Sequence, residues 1–258
     1  MLLEPILRAH LGVEKICPSA LVYHKIFPPR RAKMKYRLVS LLLVPFIFLQ
    51  THAYTDKAVF NELVYQIRDP KTNPAQFRRS LKKIGEYLAV QVLEELEQTE
   101  TSIETLLGES ATHTLCNEKP VLITILRAGV PLYLGVQKVF SDSESGFLGM
   151  ARNEETLAAK TDYVALPDIE GKCVCIIDTM LATGGSILDA VKLIEKYKPK
   201  KIIIISAIAS EPGIARIAEY NPDIKVYAAA VDPTLNEKGY IVPGLGDAGD
   251  RCYGLKIT

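Results

Sequence analysis

Apolar and polar positions alternate along the chain from about residue 56 in a pattern that predicts helices and strands in turn. Five apolar residues recur at spacings of three and four: Phe77, Leu81, Ile84, Leu88 and Val92. This spacing places them on one face of an amphipathic helix. The preceding Asn73-Pro74 supplies a capping side chain and a proline for the first turn.

Short apolar runs with the length of buried strands follow this helix. They cover residues 121–126, 172–178, 201–209 and 224–231, with 146–151 as a weaker candidate, and helical patterns lie at 186–197 and 214–219. Strands that are apolar on both faces and alternate with helices predict an α/β fold, a mostly parallel sheet flanked by helices. Ligands of such sheets bind beyond the carboxyl ends of the strands. Three predicted strands end there in polar or glycine-rich segments, at 127–129, at 178–186 and from 232 onward.

Composition indicates an ordinary globular protein. The 258 residues are 48% hydrophobic and 24% charged, with a net charge of +1, which argues against a dedicated nucleic-acid partner. Charge is uneven, however: residues 1–55 hold eight Lys/Arg and two Glu, whereas the rest holds 23 basic and 28 acidic residues. We therefore divide the chain into an extension, 1–55, and a main domain, 56–258.

The numbers and positions of histidines and cysteines limit the kinds of catalytic site, metal site and disulfide that the chain can form. Only His113 lies in the main domain, so neither a histidine-based triad nor a histidine-rich metal site is expected there. Five scattered cysteines, Cys17, Cys116, Cys173, Cys175 and Cys252, indicate free thiols in a reducing compartment. Cys173 and Cys175 share one face of their strand and are interpreted as buried packing residues.

The extension contains twelve nearly continuous apolar residues, 38–49, after a basic stretch. This run is shorter than the roughly 20 residues of a membrane-spanning helix. If Met34 were the start, residues 34–53 would be typical of a secretory signal. A membrane-touching or core-covering extension, or an upstream start that is not used, are the alternatives.

The segment 178–186 has the features of an anion site. It lies between a predicted strand and a predicted helix, and Thr183–Ser186 would present backbone N–H groups and two hydroxyls at the helix N-terminus. Asp178 can accept hydrogen bonds from sugar hydroxyls. No GxxxxGK[ST] pattern is present, which argues against a P-loop hydrolase.

Residues 176–186, Ile-Ile-Asp-Thr-Met-Leu-Ala-Thr-Gly-Gly-Ser, resemble the motif of phosphoribosyltransferases that binds phosphoribosyl pyrophosphate (PRPP), and that of the uracil phosphoribosyltransferases in particular. The resemblance implies PRPP contacts for every residue from 178 to 186: Asp178, Thr179, Met180, Leu181, Ala182, Thr183, Gly184, Gly185 and Ser186. Thr179 stands where this family usually has proline.

The C-terminal loop, 239–251, carries four glycines and one proline. Its formal GxGxxG is not a dinucleotide fingerprint, because only nine residues follow Gly249 and they show no helical pattern. The run 235–251 resembles the uracil-recognition segment of the same family, which implies a small hood, 239–251, over the base. Ile241, Gly246 and Ala248 would bind uracil through backbone groups, and Asp247 would lie at both uracil and PRPP.

Arg127 and Arg152 resemble the family's arginines that contact the pyrophosphate of PRPP. Val130-Pro131 follows Arg127 where family members more often have an apolar residue and glycine. Arg152 lies in a polar segment, and residues 142–165 are predicted to form a lid over the site.

The resemblance thus implies transfer of the phosphoribosyl group of PRPP to uracil, giving UMP and pyrophosphate, with Asp178 and Asp247 as catalytic residues. It further implies Mg²⁺ bound with PRPP, a homo-oligomer, and GTP as an activator in some relatives. PRPP is a cytosolic metabolite, so a cytoplasmic location is expected, with export as the alternative that residues 34–53 leave open. The alternative function is a non-catalytic sensor of PRPP or a pyrimidine nucleotide on the same fold.

Overall fold

The computed structural model describes residues 52–53, 58–152 and 159–256, all of them within the compact unit Ile47–Thr258. The extension 1–55 lies outside the described residues except for the dipeptide His52–Ala53. The signal-like interpretation of residues 34–53 therefore stays a prediction. None of the described helices is long and apolar enough to cross a membrane.

Helices and strands alternate along most of the described chain. The helices are α1 Ala58–Arg68, α2 Pro74–Val92, α3 Val130–Val139, α4 Gly185–Glu195, α5 Glu211–Tyr220 and α6 Ala248–Tyr253, with a 3-10 turn at Leu93–Glu95. The strands are β1 His52–Ala53, β2 Gln98–Glu104, β3 Ser110–Cys116, β4 Val121–Leu126, β5 Ser145–Arg152, β6 Ala159–Ala165, β7 Cys173–Leu181, β8 Lys201–Ser210, β9 Lys225–Asp232, β10 Thr234–Leu235 and β11 Ile241–Val242.

A seven-stranded sheet forms the centre, in the order β1-β9-β8-β7-β4-β5-β6. All neighbouring pairs are parallel except β5 and β6, so β6 is an antiparallel edge strand. The predicted fold class, a mostly parallel sheet flanked by helices, is confirmed. β10 and β11 form a separate antiparallel ribbon, as do β2 and β3.

Alternating side chains of the central strands build one apolar core on each side of the sheet. In β7, Cys173 and Cys175 pack with α1, α2 and α3, whereas Val174 and Ile176 pack with α4 and α5. Both cysteines are fully buried and free, as predicted. Burial on both faces explains why these strands appear in the sequence as continuous apolar runs.

The predicted amphipathic helix is α2, and all five of its predicted core residues are fully buried. Asn73 caps it as predicted, since its side-chain oxygen accepts the backbone N–H of Gln76 at 2.9 Å. Gly85 of α2 faces α3 so closely that a Cβ there would lie 2.2 Å from the Leu132 carbonyl oxygen. The two helices therefore cover one side of β4 and β7 in close backbone contact.

Glu95 stabilises the edge of the sheet where β8 and β9 begin. Its carboxylate accepts hydrogen bonds from Lys225, Tyr227 and Lys201 at 2.6, 2.7 and 3.0 Å. Burial opposes ionisation, but these three bonds outweigh it and lower the pKa of Glu95 to about 2. Glu95 thus links the first residues of β8 and β9 through ionic contacts.

Several sequence-based expectations were wrong in detail. β7 continues three residues beyond Asp178, to Leu181, so the loop proper is shorter than the 178–186 segment. No helix was expected after the glycines of the C-terminal loop, but α6 runs over Ala248–Tyr253. What marks it in the sequence is the capping residue Asp247, since the helix has no apolar pattern. The predicted lid, 142–165, is largely two strands of the sheet, β5 and β6, with residues 153–158 outside the described part.

Candidate active site

Two adjoining cavities open where β4, β7 and the hood meet. The larger, about 230 Å³, is lined by Ile125, Leu126, Arg127, Ala128, Met150, Asp178, Met180, Ala182, Ser186, Gly239, Tyr240, Ile241, Gly246, Asp247, Ala248, Gly249 and Lys256. The smaller cavity, about 90 Å³, is lined by residue 178 and residues 180–187. Four residues line both: Asp178, Met180, Ala182 and Ser186. An elongated ligand can therefore extend from one cavity into the other.

The smaller cavity is built by the turn between β7 and α4, residues Ala182–Ser186, which we call the phosphate loop. Gly184 has φ 77°, and a Cβ there would also lie 3.2 Å from the Gly213 carbonyl oxygen, so the turn requires glycine. The N-cap residue Gly184 has no capping side chain, and of the first-turn amides only the Gly185 N–H has a side-chain partner among the described residues, the Thr183 hydroxyl at 3.3 Å, so the amides that follow are available to a ligand. Together with the Thr183 and Ser186 hydroxyls they make an anion site.

Asp178 lies between the two cavities. Its Oδ1 accepts the backbone N–H of Thr179 at 2.8 Å. Burial raises the pKa of the Asp178 carboxyl to about 7, against the lowering effect of that hydrogen bond. The carboxyl is thus poised between its two protonation states near neutral pH, and a cation or hydrogen-bond donor brought by a ligand favours the charged form.

Thr179 is fully buried, and neither cavity includes it. Its hydroxyl donates to the carbonyl oxygen of Ala128 at 2.7 Å, in the segment that carries Arg127. Thr124 makes a second link between the same strands, since its hydroxyl donates to the Ile177 carbonyl at 3.1 Å. Thr179 therefore joins the β7 end to the Arg127 segment, a role that its sequence position did not reveal.

Of the two predicted arginines, Arg127 lines the larger cavity. Its guanidinium lies 3.4 Å from Asp250 in a partly exposed contact, and the Leu126–Arg127 peptide is cis. Pro131 lies in the first turn of α3, a position that suits proline because no N–H is required there. Arg152 is the last residue of β5, and its side chain lies outside the described part of the structure.

All four residues predicted to bind the base line the larger cavity: Ile241, Gly246, Asp247 and Ala248. Gly246 has φ 83°, in the left-handed region that favours glycine. Asp247 accepts the backbone N–H of Asp250 at 2.8 Å and so caps α6. Three of the hood residues that line the cavity are glycines, Gly239, Gly246 and Gly249, so backbone groups can face the cavity there, together with Asp247.

Two arginines outside the cavity hold the hood. Arg68 donates to both carboxylate oxygens of Asp232, at 2.6 and 2.8 Å, and to the Gly244 carbonyl at 2.9 Å. The Gly244 N–H in turn donates to Asp232 at 2.9 Å. Arg251 donates to the Leu245 carbonyl at 3.0 Å and stacks 4.2 Å over the ring of Phe77.

These supporting residues were not predicted from the sequence. Eight residues that line the larger cavity were also not among the predicted site residues: Ile125, Leu126, Ala128, Met150, Gly239, Tyr240, Gly249 and Lys256. Asp232 could have been found, because it is the polar residue that ends β9 at the ligand-binding edge. Lys256 carries no pattern that marks it. Its position in the cavity follows only from the path of the chain after α6.

These groups suit a ligand with a phosphate at one end and a planar group at the other. The phosphate loop offers amides and hydroxyls, Asp178 lies at the centre, and Arg127 and Lys256 supply positive charge in the larger cavity. Within the described residues, no three His, Cys, Asp or Glu side chains cluster as a metal site.

Comparison with known proteins adds an independent finding. A profile of the family described as uracil phosphoribosyltransferase matches residues 54–255. Proteins of that name include one from Malacoplasma penetrans, 40% identical over 202 residues (78% of this chain, 98% of the relative), and one from Mycoplasma capricolum, 38% identical over 192 residues (74% and 92%). The solved AQ2163 protein from Aquifex aeolicus has a TM-score of 0.71 at 37% identity, covering 78% of this chain and 97% of that one.

The link through Thr179 is tested by Thr179→Val, which keeps the side-chain volume and removes the hydroxyl. We expect the free energy of unfolding to fall by about 1 kcal/mol, because the partly buried Ala128 carbonyl loses its donor. Denaturant titration measures this. Thr179→Ser keeps the hydroxyl and should be more stable than the valine variant; a valine variant as stable as the wild type would contradict the role.

Proposed function

The chain belongs to the uracil phosphoribosyltransferase family, and from this membership we propose how its residues carry out the reaction. The protein is a glycosyltransferase of pyrimidine salvage that transfers the phosphoribosyl group of PRPP to uracil, giving UMP and pyrophosphate. The observation that supports our placement of the substrates is the pair of adjoining cavities with Asp178 between them. The sensor alternative has no feature in its favour, since residues predicted to bind PRPP and residues predicted to bind uracil both line the adjoining cavities.

PRPP lies across the two cavities. Its 5′-phosphate binds the phosphate loop, and its ribose hydroxyls donate to Asp178. Its pyrophosphate faces Arg127 and Arg152. The amides of the α4 first turn and the hydroxyls of Thr183 and Ser186 suit a phosphate, and the guanidinium of Arg127 in the larger cavity suits the more highly charged pyrophosphate; together they support this orientation.

Uracil lies under the hood, against backbone groups of Ile241, Gly246 and Ala248. Its N3–H donor is flanked by two carbonyl acceptors, which backbone C=O and N–H groups can match. Cytosine carries an amino donor in place of O4, so a backbone N–H would face a second donor in a desolvated site. An unmatched buried donor is unfavourable enough to exclude cytosine.

The reaction breaks the bond between the ribose carbon and pyrophosphate and forms a bond from that carbon to N1 of uracil, whose proton is released. Positive charge develops on the ribose in the transition state, beside the Asp178 carboxylate. Arg127 stabilises the departing pyrophosphate. Catalysis therefore comes from positioning and charge stabilisation, without a strong base.

Mg²⁺ fits this site as a partner of PRPP. It prefers oxygen ligands, retains several waters and is held by one or two carboxylates plus substrate phosphates. Asp178 and Asp247, both lining the larger cavity, are the residues that would hold it. The ion would neutralise charge on the pyrophosphate. A cytoplasmic location is part of the proposal and is supported by the four free cysteines of the described chain.

The first test measures product formation from PRPP and Mg²⁺ with uracil, cytosine, hypoxanthine and orotate in parallel. We expect UMP from uracil and no product from the others. Asp178→Asn should lower turnover at least about 100-fold, because it removes the charge beside the developing cation. Near-normal turnover in this variant would contradict the placement of PRPP.

The melting temperature of Asp178→Asn provides the control for this activity test. Since the folded-state pKa of Asp178 is raised, the native state retains a proton that the unfolded state loses, and wild-type stability falls as pH rises from about 4 to about 7. Asp178→Asn removes this effect. Its melting temperature should therefore exceed that of the wild type at pH 8 and match it near pH 4, which separates lost chemistry from lost folding.

GTP activation, which the resemblance implies for some relatives, has a candidate site in a second groove. This groove lies at the α1–α2 turn, has a volume of about 460 Å³ and is lined by Gln66, Asp69, Lys71, Thr72, Gln76, Arg79, Ser80 and Lys83. Its three cations form no ion pair with any described residue. Their charge suits a triphosphate, and the volume lies in the usual range for small-molecule sites.

If GTP binds there, it should raise the rate at sub-saturating PRPP, and Arg79→Ala combined with Lys83→Ala should abolish the stimulation relative to the variant's own basal rate. Lys82→Ala is the matched control, because Lys82 lies on the same helix outside the groove. Initial rates with and without GTP measure the effect. Absence of stimulation in the wild type would rule the proposal out.

The homo-oligomer is supported by the β2–β3 hairpin. This ribbon pairs only with itself among the described strands, and β2 is exposed along its whole length. Leu106 and Leu107 at its turn are 106% and 90% exposed. A lone two-stranded ribbon is marginally stable in water, and exposed leucines at its tip favour contact with another chain. We take that chain to be a second copy.

Burial of two leucines contributes roughly 1.5–3 kcal/mol each. Replacing both Leu106 and Leu107 by serine should therefore weaken the oligomer by about 100-fold or more. Sedimentation over a range of protein concentrations measures this. Tyr65→Ser, which removes an exposed aromatic residue from α1, should leave assembly unchanged; a wild-type protein that stays monomeric would refute the role of the hairpin.

A further inference from the structure

A cationic side chain contacts the phosphate loop from another element of the fold. Between Cys173 and Val191 the chain contains no Lys or Arg, so neither the loop nor the first turn of α4 carries a positive side chain. Arg216 lies in α5, the helix that follows the neighbouring strand β8, and its side chain contacts the loop. Its Nη1 donates to the Thr183 carbonyl at 3.2 Å.

The side chain of Arg216 lies alongside the two glycines of the loop, Gly184 and Gly185. Its Cδ would lie 3.4 Å from a Cβ on Gly184, and its Nη1 would lie 3.7 Å from a Cβ on Gly185. That same position on Gly185 would be 3.5 Å from the Thr183 hydroxyl oxygen. The guanidinium and the Thr183 hydroxyl therefore both lie close to the same side of Gly185, and Thr183 lines the smaller cavity.

The start of α5 fixes this arrangement. Gly213 approaches the loop so closely that a Cβ there would lie 2.3 Å from the Ala182 carbonyl oxygen. Ser210 donates its hydroxyl to the same carbonyl at 2.6 Å and accepts the Gly213 N–H at 2.9 Å. Arg216 is three residues farther along the same rigid helix, so its position relative to the loop is set by backbone contacts.

The charge of Arg216 is uncompensated within the described part of the chain, where it forms no ion pair. A guanidinium has five N–H donors, and only one is used by Thr183. The remaining donors, next to a loop that otherwise offers amides and hydroxyls, match a phosphate dianion.

We propose that Arg216 binds the 5′-phosphate of PRPP and of UMP, as a specificity-determining cation supplied from α5. The inference rests on the proposed placement of the 5′-phosphate in the loop. It adds a charged contact at the end of the substrate that does not react, so its effect is on binding and leaves the chemical step unaltered. Pyrophosphate, which lacks this phosphate, should not depend on it.

Arg216→Gln is the decisive variant, since it keeps a donor for the Thr183 carbonyl and removes the charge. We expect the dissociation constant of ribose 5-phosphate and the KM for PRPP to rise about 10- to 100-fold, the usual effect of one charged hydrogen-bonded contact. The kcat and the inhibition constant of pyrophosphate should stay within about twofold. Arg216→Lys should recover part of the affinity, and Lys196→Gln, at the far end of α4, controls for general charge loss.

The outcomes separate this inference from the proposed function. If wild-type protein binds ribose 5-phosphate and Arg216→Gln binds it equally well, the inference is wrong and the loop assignment stands. Equal weakening of ribose 5-phosphate and pyrophosphate would assign Arg216 a purely structural role and also overturn it. If the wild type binds pyrophosphate but not ribose 5-phosphate, the placement of the 5′-phosphate fails, and the role of Arg216 fails with it.

Discussion

The Arg68–Asp232 ion pair is the contact that holds the hood, and the proposed recognition of the base depends on it. The hood presents backbone groups, and backbone groups discriminate between bases only if the loop that carries them is held in one conformation. Asp232 is 6% exposed and receives two bonds from Arg68 and one from the Gly244 N–H. Arg68 also binds the Gly244 carbonyl. Loss of one partner would leave a buried charge unpaired, which typically destabilises a protein by about 3–5 kcal/mol.

Arg251 extends this framework to the α1–α2 turn. It donates to the Leu245 carbonyl in the hood and to the Asp69 carbonyl in the turn, at 3.0 and 2.7 Å. Asp69 also lines the cationic groove proposed for GTP. The groove and the hood therefore share one arginine as a structural support. A ligand that changed the turn would act on the same side chain that holds the hood, which would give the proposed GTP activation a short physical route.

The sequence was sufficient for the elements whose signal is local. Burial on both faces made β4, β7, β8 and β9 visible as apolar runs, and the spacing of core residues identified α2. The β2–β3 hairpin escaped notice because its exposed residues carry no alternating pattern. The role of Thr179 and the position of Arg216 depend on contacts with residues 51 and 33 positions away, which no local pattern encodes.

The site separates two physical tasks between its two cavities. In the proposed binding mode, the phosphates contact the phosphate loop and Arg127, whereas the base contacts uncharged backbone groups of the hood. Asp178 lies between them, and burial raises its pKa to about 7 when no substrate is present. Ribose hydroxyls and a cation carried by PRPP would stabilise its ionised form, so in the proposed mechanism substrate binding would favour the charge state that the reaction requires. Burial of Asp178 therefore opposes folding above neutral pH and, by the same mechanism, makes the charge of the site depend on the presence of substrate.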